Sequence, residues 1–472
     1  GARAHGCNGT LGCRCSFGRR QIVLVDNDAA GRHRTTMTFT QHPQRALLHN
    51  EIHARPPEAL AAPLAISHIV MLADEAGRHA SRAHLAELLN GLHQATPEDD
   101  ASYLRADLGP YTLRWERHTE FVSWTFIRPL TDGDVQAMAQ GAAPPCAIDV
   151  VSQGWLRALP GENLLSLHLW ALPKGALNEM ALVRRLLRED TLTGSTVISH
   201  SSDLFTDLAV HADGFSRMLV FTGPVAPGQV SPRRLGRLVQ RLLEIETYRM
   251  AALLGLPLAR EAARQLAHAE LELAQLAQAV RGATREDEPT LLDRLTRLAA
   301  DLESQYAATH ARFAASAAYD ELLNRRLTDI AEARIEGMQS VRDFMQRRLT
   351  PAMSTCRSSD RRQAALSQRI ERMSSLLRTR VEVEQQQSSR ELLTAMNRRQ
   401  GMQLKLQSTV EGLSVAAITY YVVGLIGYLA KGARAIGWPF SPEATVAVAV
   451  PVVAAAVWWS LRRLHHRIVG HE

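Results

Sequence analysis

No charged side chain falls between Gly412 and Ala430, GLSVAAITYYVVGLIGYLA, and the same holds for Ala444 to Leu461, ATVAVAVPVVAAAVWWSL. A helix rises 1.5 Å per residue, so each run is long enough to cross most of a hydrocarbon core ~30 Å thick. Tyr420, Tyr421, Tyr428, Trp458 and Trp459 include residues placed where interfacial aromatic belts are expected. Only KGARAIGWPFSPE, Lys431 to Glu443, separates the runs, and Pro439 and Pro442 break a helix there. The pair therefore reads as a transmembrane hairpin, with two buried helices of a soluble core as the alternative. Arg398, Arg399 and Lys405 precede the first run and Arg462, Arg463 and Arg467 follow the second, whereas the connection holds Lys431 and Arg434. By the positive-inside rule both long ends face the cytoplasm.

Upstream, from Arg234 to Val410, the pattern is helical. Leu235, Leu238, Leu242, Ile245 and Met250 lie close to one helix face before Gly255 and Pro257 interrupt it. Leu291, Leu295, Leu298 and Leu302 follow a 4-3-4 spacing; Leu323, Leu327 and Ile330, then Leu366, Ile370, Met373 and Leu377, repeat such seams. Seams need partner helices. Breaks are expected at Arg281 to Thr290 and at Arg347 to Cys356, where Pro351 should end a helix and fold the stalk back on itself. Arg-Arg pairs recur along this region, but acids are interleaved and stacking aromatics are missing. The pattern is that of a solvated face, and no nucleic acid partner is expected.

Strand-like patterns are confined to the front. AISHIVML (Ala65 to Leu72), YTLRWERHTEFVSWTFI (Tyr111 to Ile127), NLLSLHLWAL (Asn163 to Leu172) and FSRMLVFTG (Phe215 to Gly223) are strand candidates. The second reads as a hairpin, with Leu113 and Trp115 on one arm, Val122, Trp124 and Phe126 on the other, and Arg117 to Glu120 turning between them. Helical stretches SRAHLAELLNGL and NEMALVRRLLRED intervene. The expected fold is an α+β (or α/β) N-terminal domain followed by a long antiparallel helical stalk and a C-terminal two-helix transmembrane hairpin, at residues 37–232, 233–410 and 411–472. Residues 1–36 are expected to be disordered or extraneous. QIVLVDNDAAG within them lacks the glycine pattern of a nucleotide-binding turn.

Composition narrows little. Lys plus Arg number 54 against 48 Asp plus Glu, a net charge of +6. The cysteines, Cys7, Cys13, Cys15, Cys146 and Cys356, form no disulfide framework or zinc knuckle, which suits a reducing compartment.

The stretch LLHNEIHARPPEAL brings His49, Glu51 and His53 two residues apart, ahead of Arg55, Pro56 and Pro57. On a strand the three would share a face and could hold a divalent metal. The apolar spacing instead describes a short helix ended by the prolines, which puts Glu51 off the histidine face, and Asn50 occupies the place of a zincin base. The plainer reading has Arg55 paired with a carboxylate and the histidines packing or capping. Arg55, Glu116 and His118 are the candidate ligand-binding residues; His49, Glu51 and His53 are the candidate metal ligands.

The blocks HNEIHARPPEAL, WERHTEF, LLEIETYRMAALLGLPLA, LLRTRVEV and QLKLQSTVEGLSVAAITYYVVGLIGYLAKG resemble the bacterial membrane family called domain of unknown function 3422, from about Gln41 to Arg463. That resemblance implies an integral protein of the bacterial inner membrane without an established activity. The architecture is also similar to CorA-type magnesium channels, but their Gly-Met-Asn motif is missing, and Lys431 stands where cations would enter. Three functions follow as expectations: a non-enzymatic, membrane-anchored homo-oligomer that binds a cytoplasmic ligand or partner, a divergent ion channel, or a metal-dependent enzyme using His49, Glu51 and His53.

Overall fold

The computed structural model describes residues 42–45, 48–49, 58–98, 101–198, 200–223, 231–434, 436–437 and 439–469. The chain divides into two compact units, one running to Leu266 and including Gln305–Arg362, the other made of Ala267–Ser304 and the residues from Gln363 on.

The first unit is built on a nine-stranded mixed sheet in the order β2-β3-β4-β1-β5-β8-β7-β6-β9. Its strands are β1 (Leu64–Leu72), β2 (Tyr103–Asp107), β3 (Thr112–Arg117), β4 (Phe121–Pro129), β5 (Glu162–Pro173), β6 (Thr193–Val197), β7 (Ser202–Thr206), β8 (Ser216–Thr222) and β9 (Ala333–Arg334). All neighbours pair antiparallel except β5 and β8, which are parallel. The hairpin read from Tyr111 to Ile127 forms with Leu113 opposite Phe126 and Trp115 opposite Trp124.

Side-chain alternation sends successive residues to two different cores. Ala65, Ile69, Leu113, Trp115, Trp124 and Phe126 pack on one face. That face is covered by the short helices α1 (Glu75–Gly91), α2 (Asp132–Ala139), α3 (Gln153–Arg157) and α4 (Glu179–Leu186). Asp74 caps α1 by accepting from the Gly77 N–H at 2.7 Å, and Trp115 donates its indole N–H to Ser81 of that helix at 2.9 Å. On the opposite face Leu64, Ile66, Val70, Phe121 and Leu167 meet α5 (Pro232–Leu253) and segments of α7 (Glu288–Asp329) and α8 (Val341–Arg434). Of the α5 positions expected on one face, Leu235, Leu238, Leu242 and Ile245 are buried there and Met250 is partly buried.

Two local expectations are corrected. Strand pairing is not confined to the front, because Ala333–Arg334 returns to pair with β6. Pro351 does not end a helix; it lies inside α8. Leu349, Ala352, Met353 and Cys356 around it are buried while Pro351 itself is exposed, so the ring points away from the core and packing of the opposite face offsets the lost backbone hydrogen bond. The chain breaks earlier, after Asp329, through β9 and Gly337 at φ +79, and Ser340 caps the new helix by accepting from Asp343 N–H at 3.1 Å.

In the second unit α6 (Gly255–Gly282), α7 and α8 contribute the buried leucines Leu273, Leu276, Leu291, Leu295, Leu298, Leu302, Leu366 and Leu377. Arg380 of α8 donates to the carbonyls of Val280 and Ala283 at the end of α6 and pairs with Glu288 at 2.6 Å. The last helix is α9 (Pro442–Val469). A Cβ added to Gly427 would stand 3.2 Å from Val446, a close approach between the apolar part of α8 and α9.

Gly236 in α5 is set against the backbone of Glu58, and a Cβ there would lie 1.6 Å from the Glu58 carbonyl oxygen. The neighbouring Leu60 N–H donates to Pro232 O at 2.9 Å, holding this segment on the helix. In a solvated helix Gly→Ala stabilises by about 1 kcal/mol. Here Gly236→Ala is expected to lower the thermal midpoint of the purified protein, and an unchanged or raised midpoint would show that the segment yields freely.

Candidate functional site

On the face covered by α5 and α7, the apolar pattern of the sheet is interrupted by a block of polar side chains. Arg114 and Glu116 of β3 alternate with Leu113 and Trp115, so they fall on this side. Register then places Arg114 beside Thr125 of β4 and Thr125 beside His68 of β1, with Glu116 beside Ser123 one step along. Gln240, Glu244, Thr247 and Tyr248 of α5 and Arg326 of α7 face them across a cavity of about 280 Å³. His118, Phe121 and Tyr248 also line an adjoining groove of about 410 Å³, which Tyr319 and Leu322 complete. All these residues belong to the first unit.

His68 is buried and bonded on both ring nitrogens, Nδ1 to Thr125 Oγ1 at 2.8 Å and Nε2 to Thr247 Oγ1 at 3.2 Å. The Thr247 hydroxyl donates to the Leu243 carbonyl at 2.8 Å, so its oxygen can only accept from the ring. The proton therefore sits on Nε2, and Nδ1 accepts from the Thr125 hydroxyl. Burial, with the nearby Arg114 and then His118, lowers the pKa of His68 to about 3. It is a neutral fixture of the cavity floor.

Arg114 is the least satisfied group. Its side chain is 7 % exposed, its Nε is buried without a hydrogen-bond partner among the described residues, and it forms a loose ion pair with Glu116 Oε2, 3.6 Å away. Among the described residues Glu116 accepts one hydrogen bond, a long one from Ser123 Oγ at 3.3 Å. Across the cavity, by contrast, Glu244 is paired with Arg326 and accepts from Gln240 at 3.0 Å, and Arg326 also bonds Asp329 at 3.1 Å. The aromatic walls are ordered in pairs: the His118 ring stacks on Phe121 with centroids 4.4 Å apart, and Tyr248 on Tyr319 at 5.9 Å. At the tip of the β3–β4 turn Glu120 pairs with Arg312 and accepts from the Tyr319 hydroxyl at 2.9 Å. Burial and this bond to Glu120 raise the Tyr319 pKa, so the phenol stays protonated.

Of the residues singled out in the sequence, Glu116 and His118 are brought together in the wall of this cavity. His49 is helical and exposed, whereas Glu51, His53 and Arg55 lie outside the described residues. Among the described residues no group of three or more His, Cys, Asp or Glu side chains is arranged to hold a metal ion. His68, Arg114, Tyr248 and Arg326 escape a sequence reading. The signal for Arg114 is present all the same: Arg114 and Glu116 alternate along one strand with the apolar Leu113 and Trp115.

The chain matches, over residues 40–468, the family described as a protein of unknown function, DUF3422. No curated protein and no solved structure matches it.

The histidines set an acid limit on stability. A His whose folded pKa is depressed binds its proton in the unfolded chain first, so stability is full above the unfolded pKa of 6.5 and declines as pH falls toward the folded value. For His68 that window runs from 6.5 to about 3, and for the buried His168, whose pKa burial lowers to about 4, from 6.5 to about 4. Each contributes a slope of about 1.4 kcal/mol per pH unit within its window. Urea midpoints measured from pH 7 to pH 4.5 should fall, and His68→Asn should flatten that fall; an equal slope in the variant would contradict the assignment.

Proposed function

The chain belongs to the DUF3422 family over residues 40–468, and from that premise we propose a membrane-anchored, oligomeric protein whose sheet-bearing unit binds a small ligand. The exposed apolar helices are the carrying observation. Two helices, α8 and α9, contain windows long and apolar enough to cross a membrane, and only 11 % and 0 % of those windows are buried within the chain. Leu425, Leu429, Val448 and Val452 are each more than 60 % exposed. A core helix of a soluble protein would hide such side chains; here they need lipid or another chain around them.

In this reading the two spans form a hairpin in the bacterial inner membrane, with both termini in the cytoplasm and the long helices upstream making an antiparallel stalk. The protein should stay with membranes through alkaline carbonate washing and be released by detergent. Recovery in the carbonate supernatant would remove the anchor.

A second copy of the chain is the partner proposed for α8. Every residue from Glu391 to Val410 is exposed, including Leu392, Met396, Leu406 and Val410. Leu406, Val410 and Leu413 keep a 4-3 spacing, the seam of helices that pack side by side. A second helix along the seam would bury these exposed apolar side chains. Light scattering of detergent-solubilised protein should give an oligomer for the wild type and a smaller species for Leu406→Asn with Val410→Asn. A wild-type monomer at all concentrations would overturn the assembly.

The ligand-binding reading rests on the cavity beside Arg114. Arg114 and Glu116, a buried charged pair in loose contact at 3.6 Å, line it together with aromatic side chains, the mixture of a few polar groups and aromatic walls that suits a small-ligand site. No catalytic group is assigned.

A further inference from the structure

The charges around the cavity restrict what it can accept. An anion placed against Arg114 would also stand beside the Glu116 carboxylate, 3.6 Å from Arg114 Nε, with Glu244 across the space. A cation placed against Glu116 would meet Arg114 and Arg326. Either would be desolvated next to a like charge. A neutral molecule avoids both costs if it offers an acceptor to Arg114 and a donor to Glu116, two groups adjacent on one strand face. Planarity is favoured by the walls, where His118, stacked on Phe121, and Tyr248, stacked on Tyr319 of the adjoining groove, line the cavity.

We propose that the cavity binds a small planar aromatic molecule carrying a neutral amide edge, a carboxamide or a ring lactam, whose carbonyl accepts from Arg114 and whose N–H donates to Glu116. The inference rests on the ligand-binding reading above and names its chemical class. It gives partners to two groups that line the cavity, Arg114 and Glu116, whose mutual contact of 3.6 Å from Nε to Oε2 is longer than a hydrogen bond and of which Glu116 accepts a long bond from Ser123, at 3.3 Å. Sites built on buried donor and acceptor pairs discriminate sharply against analogues that leave one group unpaired.

Benzamide, benzoate and benzamidine share one ring and differ in the charge of the edge, so they separate the possibilities. Calorimetric titration of the full chain in detergent micelles at pH 8 should show benzamide binding at least about tenfold more tightly than the other two. Arg114→Met should abolish that binding. Glu116→Gln should narrow the gap between benzamide and benzoate, because the anion no longer faces a carboxylate. Tighter binding of benzoate or benzamidine overturns the amide class and leaves the cavity a ligand site for that charge. Benzamide binding unchanged in Arg114→Met also overturns it, since the molecule is then held elsewhere. No binding by any of the three overturns the inference as well, and the thermal midpoint of Arg114→Met with Glu116→Gln then decides the underlying reading. A double variant at least as stable as the wild type keeps Arg114 and Glu116 as groups retained for a ligand, whereas a clearly less stable one makes them a structural ion pair and removes the ligand site too.

Discussion

Each residue of the central strand β1 must join one of two cores, and the choice is made by a period of two. Leu64, Ile66 and Val70 go to the long helices, Ala65, Ile69 and Met71 to the short ones. Because β1 is paired on both edges, by β4 and β5, its register fixes the facing of its neighbours. A slip by one residue would exchange the two sets and drive His68 into the short-helix core. The row Arg114, Thr125, His68 and Leu167, read across four strands, is a direct product of this register.

That row sets a requirement on the helix above it. A neutral histidine with two hydroxyl partners can be buried at little cost, but one of those hydroxyls has to come from α5. Thr247 does so while returning its own proton to the Leu243 carbonyl of the same helix, so the α5 backbone, the ring tautomer and the strand are joined in a single directed chain of bonds. Arg114 and Glu116 sit just beyond this chain, where the helix no longer closes against the sheet. The cavity therefore begins where the closed hydrogen-bond network ends.

Much of the scaffold was legible in the sequence. The strands around Leu64–Leu72, Thr112–Pro129, Glu162–Pro173 and Ser216–Thr222 are long and apolar enough for period and composition to mark them. The seams Leu291 to Leu302 and Leu323 to Ile330 are buried because a heptad-like spacing leaves few other ways to hide leucine. The short strands Tyr103–Asp107, Thr193–Val197 and Ser202–Thr206 were not legible. Five residues give little period, and the last two are joined through Ile198 and His200 at positive φ, a conformation that neither residue type advertises. Pro351 misled for a general reason: local backbone chemistry favours a break there, and burial on the far side of the helix overrules it. The candidate site was half legible. Glu116 and His118 stand out within a hairpin, but their partners come from α5 and α7, more than a hundred residues further on, and only the sheet's strand order brings them opposite each other.

The strand that returns after α7 has only two residues, yet it finishes one edge of the sheet. Ala333 and Arg334 pair with Thr196 and Ser195, and Glu332 just before them accepts from the Ser195 hydroxyl and from the Val341 N–H at 2.7 Å, fastening the start of α8 to the same border. So short a border, followed at once by a helix, offers too few open backbone groups for a foreign strand to continue the ladder. At the other border β2 carries Arg105, which is ion-paired to Glu58. The sheet thus ends on a two-residue strand at one border and on a charged strand at the other, both of which disfavour edge-to-edge stacking when many copies are crowded together.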